Sequence, residues 1–589
     1  MAYEFDPSDV QVVTELLEEA TKLSDELLKG WTQVASNDKY QLLSESLRAE
    51  FDFAFTHELE EDFETAGEVK LVQSGLSVTA TRPMSETPSG AWTLWGEVFD
   101  ALKPSIVRAH LADLLLTSRV RARPAHAAVT IASYMEVPDI DGVTAQQSAL
   151  SLARANAIAR SRRMTEEEPV RQAMYAKSEV FSSNLETMGP ALTLLAALSV
   201  PPRSGEILDE ERKVMRSQLL SIGEAATFFT DEVAKTLFRL SNEPTELEAA
   251  RRWHTEQYLN RAENEDHGMV KMHHAQTAVN LANDYGLSEL RDAAVIVMQS
   301  IDQATMGWES VYYEGKLSKN AFRAHLRKYA RARSWNHALM TFLAGPSPSG
   351  DHEANKRTAG RAARGSIRSL VTRTSYGAHG LPERTNEDFT NEEITRTETI
   401  NLSTTSILLA LELEHIRARF SAPDVEQVAL WMVETLSADG SLSHYFAQSL
   451  NLHWDQRYSD SARLCIPLIE SAARGLLRAL DEPLYRTQRG DSPGRFPAMD
   501  FYVDALAKRD LDPNWVRAFR MTLLTPGLNL RNLSAHGFLM DFTEHQSALL
   551  LRLAGLLCAM PINTAHQSLE ALPRMAQRRL RCRLGWVWS

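Results

Sequence analysis

The chain has 589 residues, 44% of them hydrophobic and 24% charged, with 27 glycines and 23 prolines. That balance points to a soluble globular protein of about three to four domains, and it excludes a turn-rich β architecture. A net charge of −14 excludes a surface coated in phosphate contacts, though not a local basic site.

The three cysteines, Cys465, Cys558 and Cys582, are widely spaced without a CxxC pair. They offer neither a disulfide framework nor a zinc site. The start, MAYEFDPSDV, lacks the basic and apolar regions of a secretory leader. No apolar run approaches the roughly 18 residues of a membrane span; the best, SALLLRLAGLLCAM, is interrupted by Arg552. A cytoplasmic, membrane-free protein is expected.

Taken in chain order, the first element is a helix. Ser8 and Gln11 have capping-box spacing, Val12, Val13, Leu16, Leu17 and Leu23 recur at helical intervals, and Gly30 stops the pattern. From 60 to 95, β-branched and turn residues predict a hairpin-like insert or an irregular loop, so residues 1–97 read as a helical region with a small β or loop insert. Residues 98–344 read as a helical array with a sensing or interaction role. SIVRAHLADLLLTSR and TAQQSALSLARANAIARSRR carry apolar residues three and four apart. Between 243 and 345 small and large residues alternate without a strict period, which allows solenoid-like packing, and Gly286 is placed to end a helix.

Residues 345–394 are poor in apolar side chains and rich in Gly, Ser, Thr and Arg, and predict a basic flexible linker. Within 351–384, Lys356, Arg357, Arg361, Arg364, Arg368, Arg373 and Arg384 face only Asp351, Glu353 and Glu383. Such a segment serves as a tether or touches RNA phosphates. Residues 395–562 predict a compact helical bundle, whose last helix has a capping box at Thr543 and Gln546 and stops at Pro561. Residues 563–589 form a basic tail with five arginines from Arg574 to Arg583 and no acid, ending near Trp586 and Trp588.

One stretch of the bundle carries chemistry: NLRNLSAHGFL, residues 529–539. An arginine followed by a nearby histidine is a weak signal; Arg121 with His126 and Arg331 with His337 match it too. Context sets Arg531 and His536 apart. Pro526-Gly527 breaks the preceding helix, Asn529 can cap a short new one, and Gly537 ends it. On a regular helix the two side chains lie about 140° apart, so one helix does not aim both at a single phosphorus, and a site made from two copies of the motif is attractive.

A neutral imidazole can take a proton from a ribose 2′-hydroxyl, and a protonated one can return it to the leaving 5′-oxygen. Arginine presents a charged fork to phosphate oxygens, and Asn532 can orient the histidine or bind phosphate. On residue types alone the alternative is equally open, with Arg531 as a capping or ion-pairing residue and His536 as a satisfied core histidine. No metal or cofactor is called for. Gly360 and Gly365-Ser366 mimic a phosphate-binding loop but lack its lysine, and His267, His273 and His274 have no acidic or cysteine partner at metal-ligand spacing.

LRNLSAHG resembles the signature of the HEPN superfamily (higher eukaryotes and prokaryotes nucleotide-binding domain), small helical bundles with Arg, a polar residue and His at this spacing. The likeness is to long bacterial helical proteins of uncharacterised type ending in LRN and AHG. It extends upstream to IPLIESAARGLLRAL, which is similar to their P-x-x-E-x-x-x-R helix. The resemblance covers about 395–562. It implies a metal-independent endoribonuclease acting on tRNA or mRNA as a homodimer, with His536 as general acid/base, Arg531 as phosphate binder, and Asn532 and Glu470 in support. Arg474, one turn after Glu470, would be its helical ion-pair partner or the two would form a plain surface pair. The resemblance further implies a toxin or abortive-infection effector against phage, and the acidic N-terminal region and linker leave room for a phage-derived trigger or partner protein at the N-terminal array. The alternative is a catalytically silent scaffold that uses the bundle to associate or to hold RNA.

Overall fold

The computed structural model describes residues 3–23, 38–62, 68–73, 82–309 except 204, and 319–560 except 365, 368–370, 372, 378–379, 387 and 489–492. Gly30, Pro561 and the basic tail, with Cys582, lie outside the described residues. The fold is mainly α, with 25 helices and two small two-stranded sheets among the described residues. The chain divides into two compact units, Met1–Trp308 and Glu309–Ser589.

In the first unit, the opening helix Pro7–Leu23 buries Val13, Leu16 and Leu17, as their spacing demands. Its cap differs from expectation. The Ser8 amide and hydroxyl both donate to Asp6 Oδ1, at 2.9 and 2.8 Å, so the start is tied by Asp6 rather than by a Ser8–Gln11 box. The β insert is an antiparallel hairpin, His57–Asp62 with Glu68–Gln73, that pairs Leu59 with Leu71. It begins at 57 rather than 60. Arg154 on the helix Ala145–Arg162 anchors it by donating to the Val69 carbonyl at 3.1 Å. The same guanidinium clamps the buried Asp113 at 2.8 and 2.9 Å, which satisfies a carboxylate that would be costly to bury alone.

Further along, Ala278, Ala282 and Ala294 are buried between the consecutive helices Pro244–Asn264, Gly268–Tyr285 and Ser288–Gln299, where small side chains permit close approach. Gly286 ends the second of these in the left-handed conformation, φ +73°.

The second unit corrects two boundaries. Residues expected to close the first array belong to the later core: Tyr329, Leu339, Phe342 and Leu343 pack in one cluster with residues up to Met560. The cause lies in Arg552. It is fully buried in the apolar helix Glu544–Cys558 and donates to the carbonyls of Phe342 and Gly345. It also lies over the rings of Phe342 and Trp515.

The expected linker is also structured. Its residues form the helix His352–Ala363, the hairpin Arg373–Tyr376 with Pro382–Asn386, and the start of the 32-residue helix Phe389–Phe420. Polar anchors hold it. The His352 amide donates to Asn514 Oδ1 at 2.7 Å, His352 Nδ1 meets Glu398 Oε1 at 2.7 Å, and Asn355 and Asn401 both donate to the Ser349 carbonyl. Its charges are partly spent at home: Lys356 pairs with Glu353, and Arg373 with Glu392 at 3.0 Å.

The bundle that carries the motif is tied by a buried hydroxyl chain. Ser461 Oγ donates to the Ser449 carbonyl (2.8 Å) and Ser547 Oγ to Ser461 Oγ (3.0 Å). Ser547 therefore accepts from His453 Nδ1 at 2.9 Å, which fixes that ring's tautomer. Three helices, Gly440–Trp454, Tyr458–Ala479 and Glu544–Cys558, are so held in register. The Thr543–Gln546 capping box is formed.

Candidate active site

The helix Pro513–Leu523 stops at a turn through Pro526 and Gly527. There is no room for a side chain at 527: a Cβ there would lie 1.9 Å from the Met521 carbonyl oxygen. The chain folds back, and the Leu528 amide donates to that same carbonyl at 2.6 Å. The short helix Leu530–Ala535 follows. Asn529 occupies the position before it in a left-handed conformation, φ +53°, and its side chain does not cap the helix. Gly537, at φ +78°, ends the turn as expected, and the Leu533 carbonyl accepts the amides of Phe538 and Leu539 at 2.9 and 3.1 Å. Leu530 is buried in the bundle core and Leu539 packs against it, as does Leu528 just before the motif, which explains two of the motif's three leucines.

Arg531, Asn532 and Glu470 come together. Arg531 Nη1 donates to Asn532 Oδ1 at 2.9 Å, and Arg531 Nη2 lies 3.8 Å from Glu470 Oε2. Asn532 Nδ2 in turn donates to Asn529 Oδ1 at 2.8 Å. Asn532 therefore fixes the arginine and not the histidine. Both members of the Arg531–Glu470 pair are about three-quarters covered, enough to limit rotamers while leaving a face to solvent.

His536 stands apart. It follows the last turn, it is exposed, and among the described residues its ring bonds to none of Arg531, Asn532 or Glu470. A satisfied core histidine is thus not what the fold makes of it. Beside it Phe538 and Met540 are exposed large apolar side chains.

The Glu470–Arg474 helical pair does not form. Arg474 turns instead to Ser471 Oγ (3.4 Å) and lies over the Phe496 ring at 5.3 Å, because Glu470 is engaged by Arg531 on the other side. The sequence reading also passed over Arg463, which donates to the Met540 carbonyl. Its signal was present: Arg463 and Glu470 are seven residues apart, hence on one face of the helix Tyr458–Ala479. Together with the Phe542 amide, which donates to Ser459 Oγ at 3.0 Å, they staple the whole 529–542 loop along that helix.

Among the described residues no group of three or more His, Cys, Asp or Glu side chains is arranged to hold a metal ion. None of the helices described is long and apolar enough to cross a membrane. No family model, curated protein or solved structure matches the chain.

Proposed function

We propose that the protein is an endoribonuclease of HEPN type whose site is completed by a second copy of the chain. The observation that carries this reading is the division of labour in the loop. Arg531 is held by Asn532 and Glu470 with part of its fork facing solvent, while His536 is exposed a few residues away and, among the described residues, its ring hydrogen-bonds to none of them. A positioned cation supplies phosphate binding, and an unencumbered imidazole supplies proton transfer.

In the step proposed, neutral His536 takes the proton of a ribose 2′-hydroxyl and that oxygen attacks the adjacent phosphorus. The P–O5′ bond breaks, and the 5′-oxygen leaves with a proton from the protonated histidine of the partner copy. The products are a 2′,3′-cyclic phosphate and a 5′-hydroxyl. Arg531 carries the charge that builds on the non-bridging oxygens, and no metal takes part. Exposed Phe538 and Met540 beside His536 supply apolar surface for the second copy. A toxin or abortive-infection role against phage belongs to this reading as its biological setting.

The same exposed side chains also favour the rival, a helical scaffold that associates through this face without catalysis. Expression in bacteria of the wild type and of an Arg531→Ala/His536→Ala double variant separates the two, with growth and total RNA followed with and without phage. The nuclease reading expects arrest and RNA fragmentation from the wild type alone. Equal harmlessness of both proteins under every condition would leave the scaffold.

A further inference from the structure

The first unit contains a cavity of about 460 Å³ remote in sequence from the motif, lined by Glu61, Thr193, Phe228, Lys235 and Arg239 among others. That volume suits a small organic ligand. Its walls come from the end of the strand His57–Asp62, the helix Met188–Leu198, the turn Thr227–Phe229 and the helix Thr230–Leu240. Three features of the lining are not explained by packing.

Arg239 is undercompensated. Its Nη2 donates to Thr236 Oγ1 at 3.0 Å, whereas Nε and Nη1 are shielded from water and bond nothing among the described residues. Glu61 lines the same cavity; among the described residues its carboxylate forms no ion pair and accepts only from Thr193 Oγ1 at 3.2 Å, and burial pushes its carboxyl above the usual range. Phe228 presents a ring that is 72% exposed, backed by Phe229 with ring centroids 4.2 Å apart. A half-buried cation short of hydrogen-bond partners, a desolvated carboxylate that offsets it only through space, and an exposed aromatic ring thus border one space, and each can be met by a different part of one molecule.

We propose that this cavity binds a small planar-ring compound carrying an anionic group and an N–H donor. The anion neutralises Arg239, with Lys235 one turn before it at the rim; the N–H donor is taken by Glu61; the ring stacks on Phe228. Nucleoside monophosphates and aromatic amino acids both have this chemistry.

Calorimetric titration of the full chain distinguishes them, using AMP, GMP and UMP in one arm and tryptophan, tyrosine and phenylalanine in the other, with inorganic phosphate and alanine as ringless controls. One arm is expected to bind with one ligand per chain while the controls do not. Arg239→Gln should weaken that binding about tenfold or more, the loss of one charge-assisted contact. Phe228→Ala, at a side chain the fold leaves exposed, should weaken it without touching stability, so it decides the matter if Arg239→Gln does not fold. Failure of every ringed probe at millimolar concentration overturns the proposal, as does binding that neither substitution changes.

Discussion

At the scale of single residues, the exposure of His536 separates function from stability. His536→Ala is expected to abolish RNA cleavage by about 100-fold or more while leaving the urea unfolding midpoint unchanged. Arg531→Lys keeps the charge but loses the fork that Asn532 and Glu470 hold, and cleavage should fall nearly as far as with alanine. Two other histidines govern stability instead. Burial pushes His110 and His453 down to about 4 from an ordinary 6.5. Their folded forms resist protonation that the unfolded chain accepts, so their contribution is complete above about pH 6.5 and is lost as pH falls towards 4. The urea midpoint at pH 5.0 should lie below that at pH 7.5, and His453→Gln should narrow the gap; equal midpoints at the two pH values would refute this. The motif's Arg and His were legible because Pro-Gly before and Gly after punctuate them. Arg463, and the Asn529–Asn532–Arg531 chain, were not, because they depend on which helix the loop lies against.

At the scale of elements, the 345–394 stretch shows where reading apolar periodicity stops working. The helix His352–Ala363 buries little beyond Ala359 and Asn355, and is fixed by His352, Asn355 and their bonds to Glu398, Asn514 and Ser349. Glu398 and Asn514, 46 and 162 residues away, leave no local trace in sequence. The strongly patterned helices, such as Ala145–Arg162 with its Thr144 cap, fall where their spacing places them. Two substitutions test the elements that position the site. Gly527→Ala drives a methyl into the Met521 carbonyl, so the turn must shift and carry Arg531 with it; cleavage should drop by at least about tenfold with the core helices retained. Arg552→Met strands the carbonyls of Phe342 and Gly345 and should cost about 2 to 5 kcal/mol, read as a lower denaturant midpoint.

At the scale of the whole molecule, the site in one chain offers a fixed arginine and a separate histidine, so catalysis is expected to need two copies. Because the step draws one histidine from each copy, an equal mixture of wild type and His536→Ala that re-associates at random leaves both histidines in about a quarter of the dimers, and activity should fall to about a quarter of an equal total of wild type rather than to the half expected of independent chains. The N-terminal helices, their hairpin and the overall α class were legible from composition and periodicity. The division of the chain near residue 308 was not, since Arg552 recruits residues 342–345 from more than 200 positions away. The most direct measurement of the central claim is cleavage of an RNA oligonucleotide by purified full-length protein in excess chelator, with product ends read by mass spectrometry. Wild type is expected to yield 2′,3′-cyclic phosphate and 5′-hydroxyl ends, and the Arg531→Ala/His536→Ala variant to yield none. Ends of another chemistry, cleavage that survives the double substitution, or an inert wild type would contradict it.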